Sequence, residues 1–329
     1  MTMAAKIAVI PGDGIGSEVT EACLQVLEAS GVALEFQNYH AGDYCLERFG
    51  RALPEETLAG ALEAQAVLFG AAGASAAEVI LRLRAELGTY VNLRPAKAFR
   101  GVECLYPSCD IMIVRENTEC LYAGIESRLT ADVATATRLI TRGASRRIAL
   151  SAFEYARQNG RKKVTAVHKV NVLRKTDALF LECCREVAKD YPQVAYEEGL
   201  VDSVAMRLVM DPSAYDVIVT TNLFGDILSD LAAGLIGGLG LCPSANLGDE
   251  HALFEPVHGS APDIAGQGLA NPSASIMCGA MLLRHLGHTA QAEKIEKALA
   301  AAIAAKEATP DLGGGLKTMQ MAQAVIARM

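Results

Sequence analysis

In the stretch Tyr215–Leu241, YDVIVTTNLFGDILSDLAAGLIGGLGL, Asp226 and Asp230 stand four residues apart among apolar Ile227, Leu228 and Leu231. On a helix that spacing puts both carboxylates on one face, roughly 6 Å apart at Cβ. Two like charges in apolar surroundings repel unless something positive lies between them. A hard divalent cation meets that need, and Mg²⁺ or Mn²⁺ prefers carboxylate oxygens. The competing reading is an Asp cap and a solvated Asp near a helix start. Arg84, Arg94 and Arg115 stand at the ends of apolar segments. Guanidinium forks grip carboxylates bidentately, so three forks and a metal point to a small polyanion, either a di- or tricarboxylate or a phosphate. Any one of these arginines taken alone is explained as well by surface ion pairing. Lys169 reads equally as a snorkelling surface lysine, and Tyr122 as a half-buried tyrosine.

The elements that must position these groups alternate between short apolar runs and longer amphipathic ones, which predicts an α/β fold. Lys6–Ile10 reads as a buried strand, Pro11–Gly16 as a turn and Ser17 onward as a helix to Ser30. The turn's spacing is G-x-G-x-G, so it misses the Rossmann fingerprint G-x-G-x-x-G. A strand, a helix and a strand are expected over Leu34–Gln37, Pro54–Ala64 and Ala66–Gly70. Ser75–Leu87 is expected as a helix with Ser75 and Glu78 as a capping box. Ile111–Val114 reads as a strand ending in Arg115, Ala131–Asn159 as largely helical, and Val164–Val167 as a strand followed by His168 and Lys169. A helix is expected over Leu173–Lys189, and Asp202 opens the next. In the central stretch the pattern predicts a strand over Asp216–Thr221, a loop over Asn222–Gly225 and a helix from Asp226. Phe254–Gly266 reads as a long Gly- and Pro-rich loop, which compact domains rarely carry without a use. Helices over Pro272–Ile303 and Thr318–Met329 complete the chain. Most of the singled-out polar residues fall at or just past strand ends, the edge where open α/β sheets bind ligands.

Composition bounds the answer further. A chain of 329 residues with 51% hydrophobic and 21% charged residues suits a globular enzyme of two domains. A net charge of −8 and the absence of a basic stripe exclude nucleic acid as the expected partner; Arg161–Lys163 reads as a solvated turn. Nine cysteines without a C-x-x-C pair, and an N-terminus that runs straight into the first strand, lead us to expect reduced thiols in the cytoplasm. The most apolar run, Leu231–Leu241, is too short to span a bilayer, so no membrane association is expected.

Six segments together resemble one family: IPGDGIGSEV (Ile10–Val19), TYVNLRPAK (Thr89–Lys97), IVRENTE (Ile113–Glu119), VHKVNVL (Val167–Leu173), TTNLFGDILSD (Thr220–Asp230) and EPVHGSAPDIAG (Glu255–Gly266). They are similar, in order and over nearly the whole chain, to the β-decarboxylating dehydrogenases, the isocitrate/isopropylmalate dehydrogenases. The resemblance implies a non-Rossmann α/β fold of two domains with an open sheet and an active-site cleft between them. Residues 1–92 with 238–329 would form the first, cofactor-side domain, and 93–237 the second, substrate and dimerisation domain. It implies that Arg84, Arg94 and Arg115 hold malate carboxylates, that Asp226 and Asp230 hold Mg²⁺ or Mn²⁺, and that Asp202 is a third metal-site aspartate. Lys169 would take the hydroxyl proton and Tyr122 would act as general acid. In the family Lys169 and Asp202 reach in from the partner subunit, so a homodimer or higher homo-oligomer with a shared site is expected. Asn171, Glu255, His258, Gly259, Ser260, Ala261, Asp263, Ile264 and Asn271 would bind NAD, with Asp263 accepting from both ribose hydroxyls and disfavouring a 2′-phosphate.

Within the family the substrate is expected to follow from Ile80 and Leu81, four and three residues before Arg84. Hydrocarbon there matches an apolar C3 substituent such as isopropyl and leaves a charged one unpaired. The expected reaction is oxidative decarboxylation of 3-isopropylmalate with NAD, in leucine biosynthesis. Isocitrate or homoisocitrate oxidation and use of 3-methylmalate are the alternatives. A non-catalytic regulatory subunit and a metal-dependent phosphoryl-transfer enzyme are the readings from other classes. Three positions depart from the family pattern. Cys120 stands where relatives carry Gly, beside the loop that presents Tyr122; Gly88 replaces an Asp and Val170 an Ala.

Overall fold

The computed structural model describes residues 4–329, which divide into two units. The first runs to Thr89 and resumes at Ala98–Pro107 and Ile236–Met329; the second is Tyr90–Lys97 with Ser108–Leu235.

The first unit starts with two parallel crossovers: β1 (Ala5–Gly12), α1 (Gly16–Ala29), β2 (Leu34–Asn38), α2 (Asp43–Phe49), α3 (Glu55–Glu63) and β3 (Ala66–Ala71). β1 lies between β2 and β3, and Ile7–Ile10 are fully buried, as expected of an apolar run without alternation. A π turn over Ala77–Leu81 then leads into α4 (Arg82–Glu86). The expected capping box is absent. The Ser75 amide donates to Asp43 Oδ1 at 2.7 Å, and the turn opens without a side-chain cap. In a capping box the Glu78 carboxylate would accept this amide; the Asp43 carboxylate of a neighbouring helix takes its place.

The second unit holds β4 (Val91–Lys97), β5 (Asp110–Glu116), β6 (Glu126–Arg128), β7 (Ala134–Ala136), α5 (Arg142–Gln158), β8 (Lys163–His168), α6 (Thr176–Ala188), β9 (Ala195–Leu200), α7 (Val201–Met210), β10 (Val217–Thr220) and α8 (Asn222–Ile236). Its sheet runs β4-β5-β10-β8-β9, antiparallel only between β4 and β5. Arg115, Thr220 and Val167 share one row, with Asn92 opposite Arg115. The C-terminal ends of three parallel strands therefore deliver Arg115, the start of α8 and Lys169 to one edge.

Three expectations are corrected in this unit. The start of Ala131–Asn159 is not helical: β6 and β7 form a hairpin, and α5 begins only at Arg142. Val133, Thr135 and Thr137 favour extended backbone, and Thr130 Oγ1 accepts from the Asp132 amide to shape the turn. Asn222–Gly225 is not a loop but the first turn of α8, with the Gly225 amide donating to the Thr221 carbonyl at 2.9 Å. Gly225 serves close approach rather than a turn, since a Cβ there would lie 2.6 Å from Arg115 Cγ. Arg161 is not a solvated turn residue, because it pairs with both Asp110 and Asp216.

Back in the first unit come β11 (Pro243–Leu247), β12 (Ala252–Pro256), α9 (Ser273–His285), α10 (Thr289–Ala304) and α11 (Thr318–Ile326). The expected loop at Phe254 starts later. β11 and β12 form an antiparallel hairpin, and β12 pairs in parallel with β3 through Leu253 and Phe254. Ala252–Pro256 are all buried, so burial overrides the turn signal of Pro256.

Candidate active site

Three side chains of the second unit converge on the Asp226 carboxylate. Arg115, 1% exposed, donates from Nη1 to Asp226 Oδ1 in a tight ion pair, and its Nε and Nη2 bind Asn222 Oδ1 at 3.0 and 2.7 Å. Arg94 Nη1 lies 3.3 Å from Asp226 Oδ1 and 3.6 Å from Asp230 Oδ1, and donates to Ser229 Oγ at 2.8 Å. Arg94 Nε donates to Asn92 Oδ1 at 2.7 Å. Tyr122 Oη donates to Asp226 Oδ2 at 2.7 Å, with the Arg115 guanidinium over its ring. The expected pairing of Asp226 and Asp230 on one helix face is thus present on α8, with two arginines beside them.

The two carboxylates are pushed apart electrostatically. Burial works against the Asp226 charge, yet Arg115, the Tyr122 hydroxyl and Arg94 together hold its carboxyl below the usual range. Burial pushes Asp230 above that range; Arg94 opposes the shift and Asp226 adds to it. Burial, and then the hydrogen bond to Asp226, raise the Tyr122 phenol, so it is a neutral proton donor at pH 7.

Lys169 follows the end of β8, and its Nζ lies 2.7 Å from Asp202 Oδ1 at the start of α7. Asp202 is therefore paired with Lys169 and not gathered with Asp226 and Asp230. Among the described residues, no three His, Cys, Asp or Glu side chains come together as a metal cage. Asn171 is exposed in the turn after Lys169.

In the first unit Arg84 is buried, and its Nε and Nη2 donate to Glu255 Oε1 at 3.1 and 2.7 Å. Asn246 Nδ2 donates to the same oxygen at 2.7 Å. The π turn separates the two hydrocarbon residues: Ile80 is 9% exposed and belongs to the core, while Leu81 is 36% exposed. After β12, His258, Gly259, Ser260 and Ala261 lead into a 3₁₀ turn over Pro262–Ile264. Gly14 lies under this loop: a Cβ there would meet the Ser260 carbonyl at 2.0 Å, and the Ile15 amide donates to that carbonyl at 2.8 Å. Asp263 is exposed, and Ile264 packs on Ile15, Val19 and Ala270. Burial lowers the His258 imidazole, leaving it neutral at pH 7, and its buried Nε2 has no partner among the described residues. Asn271 is engaged at both ends, accepting from the Ser273 amide and donating to Asp311 Oδ2.

The sequence reading missed Asn92, Asn222, Ser229 and Gly225, which orient the two arginines or admit them. Asn222 and Gly225 were visible as residues of an N-x-x-G segment, but that segment reads as a loop.

The family match places the chain in an oxidoreductase class, the decarboxylating dehydrogenases. The chain belongs to the isocitrate/isopropylmalate dehydrogenase family, whose model matches residues 6–325. It is 59% identical over 320 residues to the 3-isopropylmalate dehydrogenase of Archaeoglobus fulgidus, covering 97% of this chain and 98% of that one. It is 53% identical to the 3-isopropylmalate/3-methylmalate dehydrogenase of Methanocaldococcus jannaschii, with 98% of each chain covered. Among solved structures, isocitrate dehydrogenase from Methylococcus capsulatus superposes with a TM-score of 0.95 at 47% identity, covering 98% of this chain and 99% of that one. Among the described residues no helix is long and apolar enough to cross a membrane.

Proposed function

We propose that this chain oxidises and decarboxylates 3-isopropylmalate to 4-methyl-2-oxopentanoate with NAD, the oxidative step of leucine biosynthesis. The observation that carries the chemistry is the contact of Tyr122, a neutral phenol, with Asp226 beside Arg94 and Arg115. The relatives' names and the outward Leu81 support the substrate. In this reading Arg94 and Arg115, with Arg84, bind the substrate carboxylates. Lys169 accepts the 2-hydroxyl proton through water, and Tyr122 returns a proton to C3 after CO₂ leaves. NAD supplies the acceptor for the C2 hydride.

The residues present fit a divalent cation in part. Asp226 and Asp230 offer hard oxygen donors, and burial of Asp230 disfavours its charge in the absence of further cationic neutralisation. A bound Mg²⁺ or Mn²⁺ would polarise the substrate's 2-hydroxyl and the 2-keto oxygen that follows. The third ligand, Asp202, would come with Lys169 from a second copy of the chain. Exposed Met206, Val209 and Met210 on α7 and Ile227 on α8 support such a homodimer. The loop after β12 fits a dinucleotide through the orphaned Nε2 of His258 and the exposed Asp263, which would accept from the ribose hydroxyls. Nine free thiols support a reducing, cytoplasmic setting.

The test is a panel of 3-isopropylmalate, 3-methylmalate, isocitrate and homoisocitrate with NAD⁺ or NADP⁺ and Mn²⁺. We expect kcat/KM for 3-isopropylmalate to exceed that for the tricarboxylates by roughly tenfold or more, with NAD⁺ preferred and EDTA abolishing turnover. A higher kcat/KM on isocitrate or homoisocitrate would overturn the substrate assignment.

A further inference from the structure

Arg138 precedes α5, and its side chain is 11% exposed although no mechanistic role uses it. Every arm of its guanidinium is occupied. Nη1 donates to Thr176 Oγ1 at 2.8 Å and forms a tight ion pair with Asp177, whose side chain is fully buried. Nη2 donates to Thr221 Oγ1 at 2.9 Å, and Nε reaches Cys120 Sγ at 3.2 Å. The guanidinium also lies 5.1 Å from the centroid of the Phe224 ring.

Three of these partners, Cys120, Thr221 and Asp177, each lead to a different reacting group. Cys120 is two residues from Tyr122 and holds φ 73, a region that L residues rarely adopt. Such backbone persists only where surroundings over-determine it. Here two backbone hydrogen bonds with Leu139 and the Arg138 contact do so. Thr221 accepts at the first turn of α8, which carries Asp226. The other carboxylate oxygen of Asp177 accepts from the Lys169 amide at 2.5 Å.

We infer that Arg138, held by Asp177, is a positioning residue that fixes Tyr122, the α8 carboxylates and Lys169 in one arrangement. The inference rests on the function proposed above. In the shared-site reading Tyr122 serves one active site and Lys169 that of the second copy, so Arg138 ties together the contributions one protomer makes to two sites. Lys at this position would keep the charge opposite Asp177 but lose the planar fork that reaches Cys120 and Thr221 at once.

The test is Arg138→Lys, assayed for folding, for kcat and KM on 3-isopropylmalate, and for the pH profile of kcat. We expect a folded protein whose kcat falls about tenfold or more while KM stays within about threefold, because sub-ångström misplacement costs the chemical step and not binding. The limbs of the pH profile should move as well. A folded Arg138→Lys with unchanged kcat and pH profile overturns the inference. If that variant does not fold, Thr221→Val removes one arm alone: a fall in kcat of about threefold with unchanged KM supports the inference, and unchanged kcat ends it. Unmodified protein that turns over no 2-hydroxy acid would end the proposed function itself, a result distinct from either.

Discussion

Arg84 and Glu255 in the first unit form an ion pair with side chains only 10% and 7% exposed, closed further by Asn246. In the second unit Arg94 and Arg115 lie equally deep, at 8% and 1%, but their partners Asp226 and Asp230 are 37% and 56% exposed. The arginines are alike; what differs is the element that carries the acid. Glu255 is on β12, a buried strand hydrogen-bonded on both sides, so its carboxylate is enclosed. Asp226 and Asp230 project from one face of helix α8, and that face stays open. A closed pair engages two of the three guanidinium nitrogens of Arg84 and leaves only Nη1 for a ligand, and removing either partner would strand a charge. An open pair keeps the arginine committed and leaves the carboxylate free to meet a ligand.

The strongest way to break this contrast is Arg84→Met. It leaves Glu255 buried without its counter-ion, and we expect a loss of about 3–5 kcal/mol in urea unfolding. Adding Glu255→Gln should recover more than half of it. A loss below about 1 kcal/mol for the single variant would show that the pair is not closed.

Asp226→Asn should cost less, about 1–2 kcal/mol, because its carboxylate is partly solvated and Asn222 still holds Arg115. Its pH dependence has a definite sign. The folded pKa is depressed, so the contribution is full above the unfolded value of about 4 and is lost as pH falls through the folded pKa. The gap in melting temperature between unmodified protein and the variant should be constant from neutral pH to about 4 and close below it. A gap that widened in acid would contradict the ion pairs.

The smallest effect, with the opposite sign, is expected for Asp230→Asn. Here the folded pKa is raised, so the charge costs stability once pH rises from the unfolded value through the folded one. The variant should melt roughly 1–2 °C higher at pH 7 and show no gain below about pH 4. Activity should fall by about a hundredfold or more if the open carboxylates hold the cation. A more stable variant of full activity would remove Asp230 from the site.

Much of this was legible in the sequence for local reasons. Apolar runs without alternation mark β1, β3, β5, β8 and β10, because parallel strands are buried on both faces. The four-residue spacing of Asp226 and Asp230 fixes their common face once α8 exists, since helical periodicity is a property of the backbone. The long, ordered motifs carried the family, which the match over residues 6–325 bears out.

Other features depend on partners distant in sequence. Asn222–Gly225 reads as a loop because Asn and Gly are poor helix formers; packing of Gly225 on Arg115 makes it helix instead. Ser75 reads as a cap until Asp43, 32 residues away, takes its amide. Arg138 is an unremarkable cation in the sequence, and only folding brings Cys120, Asp177 and Thr221 around it. The chain's own residues determined which groups could do chemistry and on which elements they ride, since periodicity and strand burial are encoded locally. Tertiary structure alone decided which arginine is closed on an internal carboxylate and which faces an open one, because desolvation and ion pairing depend on neighbours that sequence distance does not reveal.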